Sequence, residues 1–186
     1  VDKENSKTGF IGFFEACNND ELIMSLFAEA ETWLRQRSVK KILGPFSFNI
    51  NQEVGLLIEG FQTPPYIMMP NGKKYYKEAF ERNGYNKSMD TYCYDIAAKF
   101  NPPPVMRKLI KKLPSELRVR ALNKNKISED LETLRIIFND AWSENWGFTP
   151  FTKKEFAKLG NEMLKIIPIN FIQIAEINKE PVAFIA

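Results

Sequence analysis

The chain has no histidine among its 186 residues. That removes Ser-His and Cys-His nucleophile pairs, imidazole metal ligands and the usual proton shuttle of neutral pH. Proton transfer must fall to Asp, Glu, Tyr, Lys, Cys or water. Cys17 and Cys93 lack CxxC spacing and metal-ligand companions, so they read as reduced, mostly buried thiols, and no metal is expected. Polar groups concentrate in two stretches. In GPFSFNINQEVGLLIEGFQTPPYIMM (44–69), Asn49, Asn51, Gln52 and Glu53 interrupt an apolar run, and Tyr66 follows the Pro64-Pro65 turn. In AWSENWGFTPF (141–151), Trp142, Trp146, Phe148 and Phe151 stand beside the polar handles Glu144 and Asn145.

Positioning these residues takes a core, and 44% hydrophobic residues with 13% aromatics supply one. The longest apolar runs, such as LLI and YIMMP, fall far short of the roughly 20 residues of a membrane span, and no signal pattern opens the chain. A soluble, cytoplasmic protein with no membrane partner is the expectation. The overall charge is +3, yet 99–126 carries nine basic residues against Glu116 alone, which makes that segment +8 and leaves −5 elsewhere. The basic segment lacks interleaved aromatics and any nucleic-acid recognition motif, so it reads as a solvated linker helix rather than a nucleic-acid surface.

Periodicity predicts a buried strand in GFIGFFE (9–15) and then a helix opened by Asn18 and Glu21 at capping-box spacing. That helix carries an apolar stripe of Leu22, Ile23, Leu26, Phe27, Ala30, Trp33 and Leu34, and Arg35 and Arg37 stand near its carbonyl end. A short strand at 40–43, a helix over 74–83 with Gly84 as left-handed C-cap, and a long strand over 85–96 follow. Asn101-Pro-Pro-Pro marks a boundary, and Pro104 can start a short basic helix. Beyond it the pattern gives a strand LRVRAL, a helix over 128–144, a helix over 152–167 with a Thr152–Glu155 capping box, and two strands around a turn at 178–180. The organisation expected is 1–100, a Pro-rich basic linker over 101–116, and a second unit over 117–186.

The order strand, helix, helix, strand, strand from Leu117 to Ala186 resembles the first half of a GNAT-fold N-acetyltransferase. The first unit resembles the second half of that fold, with GFIGFFE as central strand, KKILGP beside it and AFERNGYNK as last helix. The phrases GFFEA, GPFSFNINQEVGLLIEGF, PPYIMM and NDAWSENWGFTPFT are similar to a bacterial family of uncharacterised tandem-GNAT proteins. The resemblance covers nearly the whole chain. It implies a mixed α/β fold, a central mixed sheet flanked by helices. Either two half-domains lack their complements, through missing half-domains or self-association, or one sheet closes in permuted order with 10–15 antiparallel to 182–186.

The resemblance also implies acetyl-CoA or another acyl-CoA as cofactor of the parent protein and a small-molecule amine as substrate. GNAT enzymes hold the CoA diphosphate on a [RQ]-x-x-G-x-[GA] loop after the central strand. Here that turn reads EACNNDEL, without Gly or Arg, and Asp20 and Glu21 would repel the anion, so no visible motif binds the cofactor. The family's proton-donor tyrosine is Phe80 in AFERNGY. Tyr75 and Tyr76 beside it read as core or rim residues. In the second unit the Trp142, Asn145, Trp146, Phe148 loop would border the acceptor pocket, and Glu176 would accept a proton through water or else be an exposed hairpin residue. The 44–69 insertion falls at the pocket end of the scaffold, which makes Asn49, Asn51, Glu53 and Tyr66 candidates for substrate contact. Two functions stay open: an acyl-CoA-dependent N-acyltransferase whose first CoA site is degenerate, and a non-catalytic GNAT-like binding or interaction module.

Overall fold

Asn19 opens the longest helix of the chain by accepting the Leu22 N–H on its own side chain at 3.0 Å. The cap therefore lies one residue later than Asn18, and Glu21 has no capping-box partner. The computed structural model describes residues 7–97, 99 and 101–186, which are mixed α/β and divide into two units, Val1–Tyr92 and Cys93–Ala186.

In the first unit, β1 (Thr8–Phe10) pairs in parallel with β2 (Lys41–Leu43), and α1 (Asp20–Arg35) makes the crossover that a parallel pair requires. The expected strand over 9–15 stops at Phe10. Gly12 approaches the other segment so closely that a Cβ would lie 1.6 Å from the Phe46 carbonyl oxygen, and Phe13 turns into left-handed backbone at φ 53°. Ile11 N–H donates to Leu43 O and Phe46 N–H to Ile11 O, after which the two segments leave the ladder. The buried line of α1 is Ile23, Phe27 and Leu34. Leu22, Leu26 and Trp33 are exposed instead, because the burying surface is one row wide and these residues flank it. Arg37 lies over the Trp33 ring at 3.5 Å and donates to the Trp33 carbonyl.

Helix α2 (Tyr75–Arg82) ends on Gly84 at φ +84°. Tyr85 N–H reaches Phe80 O and Gly84 N–H reaches Glu81 O, a Schellman closure accompanied by contact of the Phe80 and Tyr85 rings. Ile23, Phe27, Ala79 and Phe80 form the core, with Ile11, Phe14, Leu56 and Tyr85 packed on it. Phe80 is thus a core ring. Residues 85–97 belong to no strand, although alternation anticipates one: β propensity expresses packing against a neighbouring strand, and this stretch joins no ladder among the described residues. Cys93 lies in it and Cys17 lies in the turn before α1, so both thiols are exposed rather than buried.

In the second unit, β3 (Leu117–Ala121), β4 (Gln173–Ile177) and β5 (Glu180–Ile185) form an antiparallel sheet in that order. Asn178 and Lys179 both take positive φ in the tight turn between β4 and β5, the combination whose twist suits a two-residue hairpin. Helix α3 (Pro104–Ile110) starts on its proline, α4 is Ile127–Ala141, and α5 is Lys153–Met163. The capping box of α5 forms as read from the sequence, with Thr152 and Glu155 exchanging bonds. Leu122, Leu131, Leu134, Ile172 and Ile174 make the core, covered by Ile127, Phe156, Leu164, Ile167 and Phe184.

Candidate functional site

A cavity of about 490 Å³ opens in the first unit where the segments after β1 and β2 diverge. Residues 13–15 form one wall, Pro45 to Leu56 another, and Met68 to Gly72 a third, with Tyr76 of α2 at the base. The insertion is shaped by its own backbone. Phe46 and Val54 bridge, Ser47 N–H donates to Glu53 O, and Gly55 N–H donates to Pro45 O, which folds 45–55 into a small hairpin. At its tip the Asn49 side chain accepts the Asn51 N–H at 2.9 Å, an Asx turn.

The chemistry sits at the base. Tyr76 Oη donates to Glu15 Oε2 at 2.7 Å and accepts from Ala16 N–H, while Tyr75 Oη donates to Ala16 O at 2.7 Å. Adjacent helical positions project about 100° apart, so the tandem tyrosines grip 15–16 from two sides. Phe14 packs edge-on against Tyr76 and Phe80 and stacks on Phe27. Burial, and then the bond to Glu15, push the Tyr76 hydroxyl up to about 12, so it stays a neutral donor across the physiological range. Glu15 itself is exposed to the cavity, and Glu53 contributes a second carboxylate.

Three lining residues, Phe13 (φ 53°), Phe48 (φ 78°) and Met68 (φ 65°), hold left-handed backbone without being glycine. Each such conformation costs about 1–3 kcal/mol and persists where the surroundings impose it, commonly at ligand sites. Phe13 and Phe48 are exposed, and their rings meet edge to face at 4.8 Å.

Of the residues singled out by sequence, Glu53 lines this cavity; Asn49 and Asn51 build its hairpin tip, and Tyr66 is an exposed residue outside the lining. Glu15 was not singled out, and Tyr76, read as a core or rim residue, is buried and also reaches Glu15. Their signals are a carboxylate closing the apolar run GFIGFFE and a tandem tyrosine at a helix start, neither distinctive alone. At the start of α1, Asn19 takes the Leu22 and Ile23 N–H groups, Asp20 and Glu21 put carboxylates in the first turn, and Asp20 pairs with Arg82 at 2.7 Å.

In the second unit, Trp142 caps α4 and stacks on Phe138 at 5.5 Å, and Phe148 lies 6.5 Å from the same ring. Asn145 and Trp146 are exposed on the loop. Asn139 fastens that loop: its side chain accepts the Phe151 N–H at 2.9 Å and donates to the Phe151 carbonyl at 3.0 Å. Glu176 is half-buried rather than an exposed hairpin residue, and its Oε1 accepts Arg120 Nε at 2.7 Å. Arg120 also forks onto Asp130 at 2.8 and 2.9 Å, tying β3, β4 and α4 together.

No family model matches the chain, and no solved structure matches it. "Protein YghO" of Escherichia coli (strain K12) is 42% identical over 179 residues, which are 96% of this chain and 46% of that protein. "Bacterial ceramide synthase" of Caulobacter vibrioides (strain NA1000 / CB15N) is 35% identical over 178 residues, 95% of this chain and 46% of that protein. The chain spans slightly less than half the length of these relatives. With nearly all of its residues aligned to both, it is a homologue of two longer bacterial proteins, one of which is named a ceramide synthase.

Proposed function

We propose that the chain is part of an acyltransferase with a GNAT-like scaffold, joining an acyl group from an acyl-CoA thioester to the amine of an amino lipid or similar acceptor. The relative named ceramide synthase supports this reading, since a ceramide is an amide of a long-chain amino alcohol. The parallel β1–α1–β2 arrangement supports the scaffold. The observation that carries the proposal is the Glu15–Tyr76 pair at the base of the cavity, among apolar walls of Phe13, Phe48, Leu56 and Met68. An amine with an apolar tail suits a pocket with carboxylates at one place and hydrocarbon at another.

In this reading the acceptor nitrogen forms the amide bond as the thioester C–S bond breaks, and the CoA thiolate departs and takes a proton from water. Glu15 accepts the proton that the nitrogen loses, and Tyr76, held neutral, fixes the carboxylate's orientation. No step is assigned to the start of α1, whose first turn carries Asp20 and Glu21. The test is N-acylation of a long-chain amino alcohol by the purified protein with acyl-CoA, followed by mass spectrometry. Glu15→Gln is expected to lower kcat about 10²–10⁴-fold. Tyr76→Phe lowers it less. Wild-type turnover by Glu15→Gln overturns the assignment.

The second reading, a binding module without catalysis, draws on the acidic start of α1 and the burial of Phe80. It expects calorimetric binding of the amine to the wild type with no amide formed.

A further inference from the structure

Helix α3 combines two properties that the unit does not resolve. The stretch 102–114 carries Arg107, Lys108, Lys111 and Lys112 and no acid. It also exposes Val105, Met106, Leu109, Ile110 and Leu113, at 41% to 67% of their surfaces. The winding continues past Ile110, since Lys112 N–H bonds Leu109 O and Leu113 N–H bonds Ile110 O. At about 100° per residue the five apolar side chains fall within an arc of roughly 140°, and the four cations fill the opposite arc. The helix is fully amphipathic, and its apolar arc meets water.

We propose that α3 is a docking element for an anionic lipid surface, lying in the interface with its apolar arc among the acyl chains and its cations among the headgroups. The charge pattern selects this occupant: four cations on one side of an amphipathic helix, uninterrupted by acid, complement anionic headgroups. A nucleic acid would satisfy the cations and leave five apolar side chains in water. The expectation of no membrane partner rests on span length, which excludes crossing but not lying at the surface. With so few turns the contact is weak and reversible, strengthened by whatever else holds the protein near its lipid. The inference rests on α3 alone and stands independently of acyl transfer.

Flotation of the full chain with vesicles of phosphatidylcholine, or of phosphatidylcholine and phosphatidylglycerol in equal parts, tests it. Binding to the anionic vesicles, weak binding to the neutral ones and release by added salt are expected. Lys108→Gln with Lys111→Gln should weaken binding roughly 25-fold, at about fivefold per cation. Leu109→Ser with Ile110→Ser should weaken it at least about tenfold. All four side chains are exposed, so circular dichroism should match the wild type. Equal binding to both vesicles, or none to either, overturns the proposal. So does binding to duplex DNA without binding to vesicles, or self-association that only the Leu109 and Ile110 changes abolish.

Discussion

Removing Arg120 should damage the second unit more than removing Asp130, although the two are partners in one ion pair. The asymmetry lies in solvent access: 37% of the Arg120 side chain is exposed against 7% of Asp130. Asp130 accepts two guanidinium N–H groups and the Asn123 N–H at 2.7 Å. Arg120→Ala strips all but the last and leaves a buried carboxylate, at about 3–5 kcal/mol. Asp130→Ala leaves a guanidinium that keeps Glu176 and turns to water, so its cost is near that of an orphaned Asn123 N–H, about 1–3 kcal/mol. Against a domain stability of about 5–15 kcal/mol, the difference decides whether the variant stays folded at warm temperatures.

The same network sets a pH signature. Burial raises the Asp130 carboxyl, but the Arg120 guanidinium and then the Asn123 N–H outweigh it and hold the carboxyl below its ordinary 3.8. A folded-state pKa below the unfolded one contributes stability that is present above the ordinary value and is lost as pH falls through the folded value. In Arg120→Ala burial is opposed by only the Asn123 N–H and the Lys126 charge, the carboxyl moves upward, and acid relieves the variant by neutralising it. Urea denaturation at pH 7 and pH 4 measures both. The Arg120→Ala deficit should exceed that of Asp130→Ala at pH 7, and the gap should narrow at pH 4. Equal costs at pH 7, or a constant gap, refute the reasoning.

Tyr76 should act at the alkaline end. Its hydroxyl, raised to about 12 by burial and Glu15, gives stability present below pH 10 and lost as pH rises through 12. Thermal melts from pH 9 upward should decline more steeply for wild type than for Tyr76→Phe. Asn139→Leu should strand the N–H of buried Phe151, whose carbonyl keeps the Arg135 guanidinium at 3.1 Å, at about 1–3 kcal/mol. Its signature is a lowered Tm in a thermal melt.

Features whose partners lie close in sequence were readable before any fold was known. Thr152 and Glu155 meet within one turn, Gly84 ends α2 through bonds to Phe80 and Glu81, and the last two strands meet over Asn178 and Lys179. Features that depend on distant partners were not. Glu176 meets Arg120 diagonally across a ladder whose register no local pattern states. Alternation at Tyr92, Tyr94 and Ile96 names two faces of a strand without saying whether another strand lies beside it. Residues of GPF-to-PPYIMM line the cavity, but no local pattern points to its polar base, because Glu15 and Tyr76 are joined only by the fold.

The tyrosine grip on residues 15–16 closes loops of 59 to 61 residues. Closure of that length carries an entropic penalty before any contact rewards it. The β1–β2 ladder, with Thr8 opposite Lys41, closes a shorter one. The cavity base is expected to form late in folding, so that substitutions there quicken unfolding more than they slow folding in stopped-flow measurements. Detachment of α2 alone would dismantle it while α1 and the ladder persist. A ligand bridging Glu15 to the 45–56 hairpin would reverse this, slowing amide exchange in α2 at residues it never touches.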